Sequence, residues 1–94
     1  MKTRKVDRML VHKFGFEKTE THHHVYKLWL DGRLVARTYI SHGERELSRF
    51  HIAQMSKQMR LTRGQFEDAV ACPLSQETYF HLLRTQMNEG EGER

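Results

Sequence analysis

The clearest alternation of apolar and polar residues in this chain lies between Thr21 and His42. Val, Tyr, Leu, Trp, Thr and Ile are concentrated there, and such residues suit the pleated, half-buried surface of a β-strand. Asp31-Gly32 divides the stretch, and Asp-Gly between two strand-like runs is a strong hairpin signal. The pattern therefore predicts two antiparallel strands joined at this dipeptide.

The length of the hairpin loop decides which side chains share a face. A two-residue loop would pair Leu30 with Arg33 and split the apolar residues between both faces, because side chains alternate with a period of two. A three-residue loop with Gly32 as a left-handed bulge keeps them together, and we predict this arrangement. The predicted core face holds Tyr26, Leu28, Leu30, Leu34, Ala36, Thr38 and Ile40, and the opposite face holds His23, Lys27, Trp29, Arg33, Arg37 and Tyr39.

The segment before the hairpin predicts a helix and a short strand. Residues 2–13 carry apolar side chains three and four positions apart, as one buried helical stripe requires. The stripe consists of Val6, Met9, Leu10 and Phe14. Gly15 is a candidate end for this helix. Residues 16–20 are polar beyond an inward Phe16, which suits the edge strand of a sheet.

The segment after the hairpin predicts three helices. Ser48 is a candidate N-cap for a helix to about Arg60. Thr62 and Gln65 form a capping-box pair for a helix over residues 63–71. A last helix is predicted from the Ser75 cap to residue 88, before a frayed acidic tail. The fold class is therefore α+β, with a domain of order α-β-β-β-α over residues 1–71 and a helical extension over residues 72–94.

Composition narrows the function classes only a little. A formal net charge of +4 favours a polyanionic partner such as nucleic acid weakly, and an ordinary protein surface explains it equally well. One cysteine, Cys72, excludes an internal disulfide and fits a reducing compartment. No apolar run approaches the roughly 18 to 20 residues of a membrane span. We therefore expect a cytoplasmic protein with no membrane contact.

Several short motifs together resemble a known family. In order they are Gly15-Phe16-Glu17, His23-His24-Val25-Tyr26, Asp31-Gly32-Arg33, His42-Gly43-Glu44-Arg45-Glu46-Leu47, Gln58-Met59-Arg60-Leu61-Thr62 and Phe66. This set, over roughly residues 3–70, is similar to the HicA toxins, the mRNA interferase halves of HicA–HicB toxin–antitoxin pairs. The resemblance implies a fold like the double-stranded RNA-binding domain, with helices on one sheet face. It also implies endoribonuclease activity that needs no metal or cofactor, and two partners, RNA and a HicB-like antitoxin.

The resemblance also assigns a catalytic residue. The family signature is Gly-Ser-His followed three residues later by an aromatic residue, and Tyr26 places that histidine at His23. Thr21-His22 stands where Gly-Ser is usual, and Ile40 replaces a common proline. A histidine suits proton transfer because its unperturbed pKa of about 6.5 lies near neutral pH. His42 is a candidate assistant from the neighbouring strand, and a surface histidine without function is the alternative interpretation of His23.

The remaining candidate residues admit more than one interpretation. We predict that Lys27, Arg33 and Arg37 hold RNA phosphates while Trp29 and Tyr39 stack on bases. Alternatively, Trp29 packs under the C-terminal extension, or this face is a protein interface, since Trp, Tyr and Arg are common hot-spot residues. A further alternative is a homo-oligomer formed through the C-terminal extension. The run of three histidines does not predict a metal site, because successive strand residues point to opposite faces.

Overall fold

The predicted hairpin forms the centre of a three-stranded antiparallel sheet. In the computed structural model, which describes residues 1–71 and 73–92, the strands are β1 (Glu17–Glu20), β2 (His23–Leu30) and β3 (Arg33–Ser41). Their order in the sheet is β1-β2-β3. β1 is exposed at every position, as its polar sequence predicts for an edge strand.

Helices precede and follow the sheet, so the predicted α+β class and the order α-β-β-β-α are confirmed. α1 (Thr3–Arg8) continues as a π-helical stretch (Met9–Lys13), where the spacing predicted one regular helix. The three later helices in the described part of the chain are α2 (Arg49–Gln58), α3 (Arg63–Ala71) and α4 (Gln76–Gly92). α4 extends beyond its predicted end, and Cys72 with residues 93 and 94 of the predicted tail lies outside the described residues. No described helix has the length and apolar character to cross a membrane.

The helix termini follow the capping signals in the sequence. The Ser48 hydroxyl accepts a hydrogen bond from the His51 amide at 3.2 Å. Thr62 and Gln65 satisfy each other's amides with side-chain oxygens, at 3.0 and 3.1 Å, which is the predicted capping box. Gly15 ends the N-terminal helical segment with φ of 76°, a conformation that glycine adopts without steric cost.

The hairpin turn differs from the prediction. Asp31 and Gly32 both have positive φ, 53° and 77°, and Leu30 lies opposite Arg33, so the loop has two residues. Two successive residues with positive φ define the turn whose twist matches that of antiparallel strands, and Asp-Gly favours it. The predicted three-residue loop with its bulge at Gly32 is therefore wrong.

A bulge inside β3 restores the pairing that the apolar pattern requires. Trp29 lies opposite Leu34 but Leu28 lies opposite Ala36, so Val35 is the extra residue. Its carbonyl accepts a hydrogen bond from the Arg60 guanidinium at 3.0 Å. From Leu28 back to the start of β2, even positions lie beside even positions, as predicted.

The bulge exchanges two core assignments. Leu34, predicted to be buried, is 44% exposed, whereas Val35 is only 5% exposed. The other predicted core residues of the hairpin are all buried: Tyr26, Leu28, Leu30, Ala36, Thr38 and Ile40. Two side-chain hydrogen bonds of 2.6 Å tie this face to helices: Tyr26 donates to Asp7 on α1, and Thr38 donates to Gln58 on α2. We call this side of the sheet the covered face.

α4 packs into the same core as the rest of the chain. The Tyr79 ring lies 4.5 Å from the Phe14 ring and 6.4 Å from the Phe16 ring, between centroids. Its hydroxyl donates to the Met59 carbonyl at 2.9 Å, and Leu83 on the next turn is fully buried. The hydrophobic core is therefore continuous across the predicted boundary at residue 72.

Candidate functional site

The second side of the sheet, which we call the open face, carries most of the candidate residues. Its side chains on β2 and β3 are those of His23, Val25, Lys27, Trp29, Leu34, Arg37 and Tyr39, and of these Val25 is buried. Trp29 is 49% exposed and Tyr39 is 38% exposed, and α4 lies against Phe14 and Phe16. Trp29 is therefore not buried beneath the C-terminal helix, and the face presents aromatic and cationic groups to solvent.

His23 begins β2 at one end of the open face. The strand pairing places it opposite Ser41, and its ring centroid lies 5.2 Å from that of Tyr39. The two rings are tilted by 34° to each other, and both residues are exposed. The His23 imidazole is therefore accessible to solvent and to a ligand.

Lys27 and Arg37 lie directly opposite each other at the centre of the open face. Like charges in directly opposed positions of an antiparallel pair are destabilising. Glu17 lies on the other side of Lys27 and compensates part of this repulsion. An anion lying across the pair would relieve the rest, so this position favours a polyanionic ligand.

Arg33 does not share a face with the other predicted RNA-binding residues. Because the bulge at Val35 reverses the alternation, Arg33 lies opposite Leu30, whose side chain belongs to the covered face. Leu34 takes the place beside Trp29 that was predicted for Arg33. The end of the open face near the turn is therefore more apolar than the sequence pattern indicated.

His42, the candidate assistant, lies beside a different histidine. Its ring centroid is 4.1 Å from that of His24, in an edge-on contact, and its Nε2 lies 3.0 Å from the Thr21 carbonyl oxygen. His24 Nδ1 lies 3.2 Å from a Glu20 carboxylate oxygen, close enough for an ion pair but without hydrogen-bond geometry. His24 directly follows His23 on the strand, so their side chains point to opposite faces. The pair of His24 and His42 therefore lies on the covered side of the sheet and not beside His23.

A polar network at the edge of the covered face was not predicted from the sequence. Asp7 accepts a hydrogen bond from the Tyr26 hydroxyl at 2.6 Å and pairs with the Lys18 ammonium at 2.8 Å. Burial alone would raise the pKa of Asp7, but the hydrogen bonds from Lys18 and Tyr26 outweigh it and lower that pKa. Burial, together with the Asp7 carboxylate, raises the pKa of Tyr26. The available signal was that Asp7 is the one acidic residue among the first sixteen.

No protein-family model, curated protein or solved structure matches the chain. Across residues 1–71 and 73–92, no group of three His, Cys, Asp or Glu side chains is placed to hold a metal ion. The interpretation of the site therefore depends on its own residues and geometry.

Proposed function

We propose that this protein is an RNA-cleaving enzyme, a HicA-like mRNA interferase, in which His23 transfers the proton and the open face binds the RNA strand. The observation that carries the proposal is one surface that combines an uncovered imidazole, two exposed aromatic rings and an opposed pair of cations. Such a combination suits single-stranded RNA, because rings stack on bases while cations contact the backbone.

The chemistry requires little beyond positioning. RNA carries its own nucleophile, the 2′-hydroxyl, and His23 removes its proton as the oxygen attacks the adjacent phosphorus. The bond from phosphorus to the 5′-oxygen breaks, that oxygen takes up a proton from water, and His23 afterwards releases its proton to the solvent. The products are a 2′,3′-cyclic phosphate and a 5′-hydroxyl end. One positioned proton carrier contributes roughly 10² to 10⁴-fold to the rate.

The cations supply the second contribution. Lys27 and Arg37 stabilise the charge that develops on the phosphate, and they need no rearrangement because the strands already hold them side by side. Trp29 and Tyr39 stack on neighbouring bases and align the strand. Stacking tolerates any base, so we expect cleavage with little sequence preference.

A HicB-like antitoxin is the protein partner that we propose for the same face. Trp29 and Leu34 lie opposite each other on adjacent strands and are both nearly half exposed. Such an apolar pair, on the same face as Arg37, resembles the central anchor residues of a protein–protein interface. An antitoxin seated there would exclude RNA from His23. Because the substrate is mRNA, we place both proteins in the cytoplasm.

A second candidate function is RNA binding without cleavage. Thr21-His22 stands directly before His23 where the family has Gly-Ser, and a small-residue lead-in leaves more room for an RNA backbone than a histidine does. The aromatic and cationic part of the open face does not depend on this segment. RNA binding would therefore survive the loss of catalysis.

The test is cleavage of an end-labelled single-stranded RNA by purified protein in the presence of a metal chelator. We expect His23→Ala to slow cleavage by roughly 10² to 10⁴-fold, and His81→Ala, which changes an exposed histidine on α4, to retain the activity. Equal rates for His23→Ala and the unchanged protein would contradict the catalytic role. RNA binding without any cleavage by the unchanged protein would favour the second candidate.

A further inference from the structure

A groove lies at the edge of the covered face, beside the start of β2. Its volume is about 420 Å³. The lining includes Lys2, Arg4, Lys18, His24, Glu44 and Arg45. None of these residues belongs to the open face, so the groove is a second surface with its own chemistry.

Backbone pairing fixes the walls of the groove. The Thr3 amide donates to the Arg45 carbonyl at 3.0 Å, and the Leu47 amide donates to the Met1 carbonyl at 2.8 Å. Between them, Lys2 and Glu46 form an antiparallel bridge. Residues that are more than forty positions apart in sequence are thereby held together. The backbone positions of Arg4 and Arg45, one on each of these two segments, are consequently fixed.

Among the described residues, two of the four cations that line the groove are unpaired. The lining carries Lys2, Arg4, Lys18 and Arg45, together with the carboxylates of Asp7 and Glu44. Lys18 pairs with Asp7 at 2.8 Å and lies 3.9 Å from Glu20, which also pairs with His24, and the Lys2 ammonium lies 3.8 Å from Glu46. The Arg4 and Arg45 guanidinium groups have no hydrogen-bond or ion-pair partner within residues 1–71 and 73–92. They are therefore available to a ligand.

We propose that this groove binds a phosphate group of the same RNA that crosses the open face. Arginine binds phosphate through two parallel N–H groups, and Arg4 and Arg45 present two such guanidinium groups to the groove. The groove and the open face lie on opposite sides of the sheet at the start of β2, where His24 lines the groove and His23, the preceding residue, lies on the open face. One RNA strand that contacts both surfaces passes around this end of the sheet. The inference rests on the proposed function, since it assigns a second binding position to its substrate.

The experiment compares two double variants in a His23→Ala background, which keeps the RNA intact. Arg4→Gln with Arg45→Gln removes the groove cations, and Arg49→Gln with Arg63→Gln removes the same charge from exposed positions outside it. Affinity for a fluorescent single-stranded RNA is measured against salt concentration, after circular dichroism has shown that each variant is folded. We expect the groove variant to bind at least about tenfold more weakly. The slope of its affinity against salt should fall by about 0.7 for each phosphate that the variant no longer neutralises, with a smaller change in the surface variant.

Two RNA forms identify the phosphate. The oligonucleotides compared carry a 5′-phosphate or a 5′-hydroxyl. Weaker binding of only the 5′-phosphate form by the groove variant identifies a terminal phosphate, and equally weakened binding of both forms identifies an internal one. Equal weakening by both double variants would overturn it while leaving the proposed function standing. RNA binding that depends on the groove, but without cleavage by the protein carrying His23, would sustain the inference and remove the catalytic proposal. No RNA binding by the parent would overturn both.

Discussion

The two faces of the sheet come from the same strands but follow different physical rules. On the covered face, Leu28 is 2% exposed, and the hydroxyls of Tyr26 and Thr38 both donate to side chains on helices. On the open face, Trp29 stays nearly half exposed, and Lys27 lies opposite another cation. Burial and hydrogen bonding explain the first face as a folding surface. They do not explain the second.

The difference between the two faces is the reason why we propose that RNA binds the open one. Half-exposed aromatic residues stabilise a folded monomer less than buried ones do, and opposed like charges reduce its stability. A surface that keeps them is better explained by a partner that covers the rings and neutralises the cations. The open face is therefore the part of the molecule that we assign to RNA.

The largest expected contrast is in stability between equivalent leucines on the two faces. Leu28→Ala should lower the free energy of unfolding by about 2 to 5 kcal/mol, because it leaves a cavity in the core. Leu34→Ala, on the open face, should change it by less than about 0.5 kcal/mol. Urea denaturation of both variants measures the contrast. A similar decrease in the two would show that the open face is also packed.

The next effect concerns the polar network at the edge of the covered face. Asp7→Asn removes the anion that Tyr26 and Lys18 contact, and should cost about 1 to 2 kcal/mol, because the site is partly solvated. Folding lowers the pKa of Asp7, so the ionised carboxylate stabilises the folded state. This stabilisation is complete above the pKa of Asp7 in the unfolded chain, and it is lost as the pH falls through the pKa in the folded protein. Unfolding measured from about pH 6 to pH 2 should therefore show a weaker acid dependence in Asp7→Asn. Asp68→Asn, at an exposed position on α3, is the control, and an identical acid dependence in Asp7→Asn and the unchanged protein would contradict this explanation.

A third effect separates RNA binding from folding. Trp29→Ala should weaken RNA affinity by about 1 to 3 kcal/mol for the base that loses its stacking partner, with little change in stability. Phe50→Ala is the matched control, because Phe50 is an exposed aromatic residue on α2 and 68% accessible. Fluorescence anisotropy with labelled RNA compares them. If Phe50→Ala weakens binding as much as Trp29→Ala does, the RNA site is not confined to the open face.

The smallest expected effect is that of Arg37→Gln, which should raise the stability of the protein and lower its affinity for RNA. Arg37→Gln relieves the repulsion with Lys27 and should raise the free energy of unfolding by about 0.2 to 1 kcal/mol. The same change should weaken RNA binding and reduce the slope of its salt dependence by about 0.7. Lower stability together with unchanged RNA affinity would mean that Arg37 serves the fold instead.

The sequence predicted the parts of the fold that depend on local pattern. Caps such as Ser48 and the pair Thr62 and Gln65, the buried helical stripes, and the sidedness of β2 all follow from spacing and turn chemistry. The bulge at Val35 was missed, because the apolar pattern required one extra residue and could not say where it lies. That single residue moved Arg33 off the open face and brought Leu34 onto it.

The groove could not be predicted for a different reason. Its unpaired cations among the described residues, Arg4 and Arg45, lie on segments that the bridge between Lys2 and Glu46 and the adjacent backbone hydrogen bonds bring together. Such a pairing depends on the tertiary fold and leaves no periodic trace in the chain. The open face, by contrast, is formed by a single hairpin, so most of its residues were identified from alternation alone.

The most direct test of the open-face assignment uses the intrinsic fluorescence of Trp29, the one tryptophan in the chain. Single-stranded RNA is titrated into the His23→Ala protein while emission and the anisotropy of the labelled RNA are recorded together. We predict that the emission of Trp29 is quenched in step with binding and recovers when salt releases the RNA. Binding by anisotropy with unchanged Trp29 emission would place the RNA elsewhere and contradict the assignment.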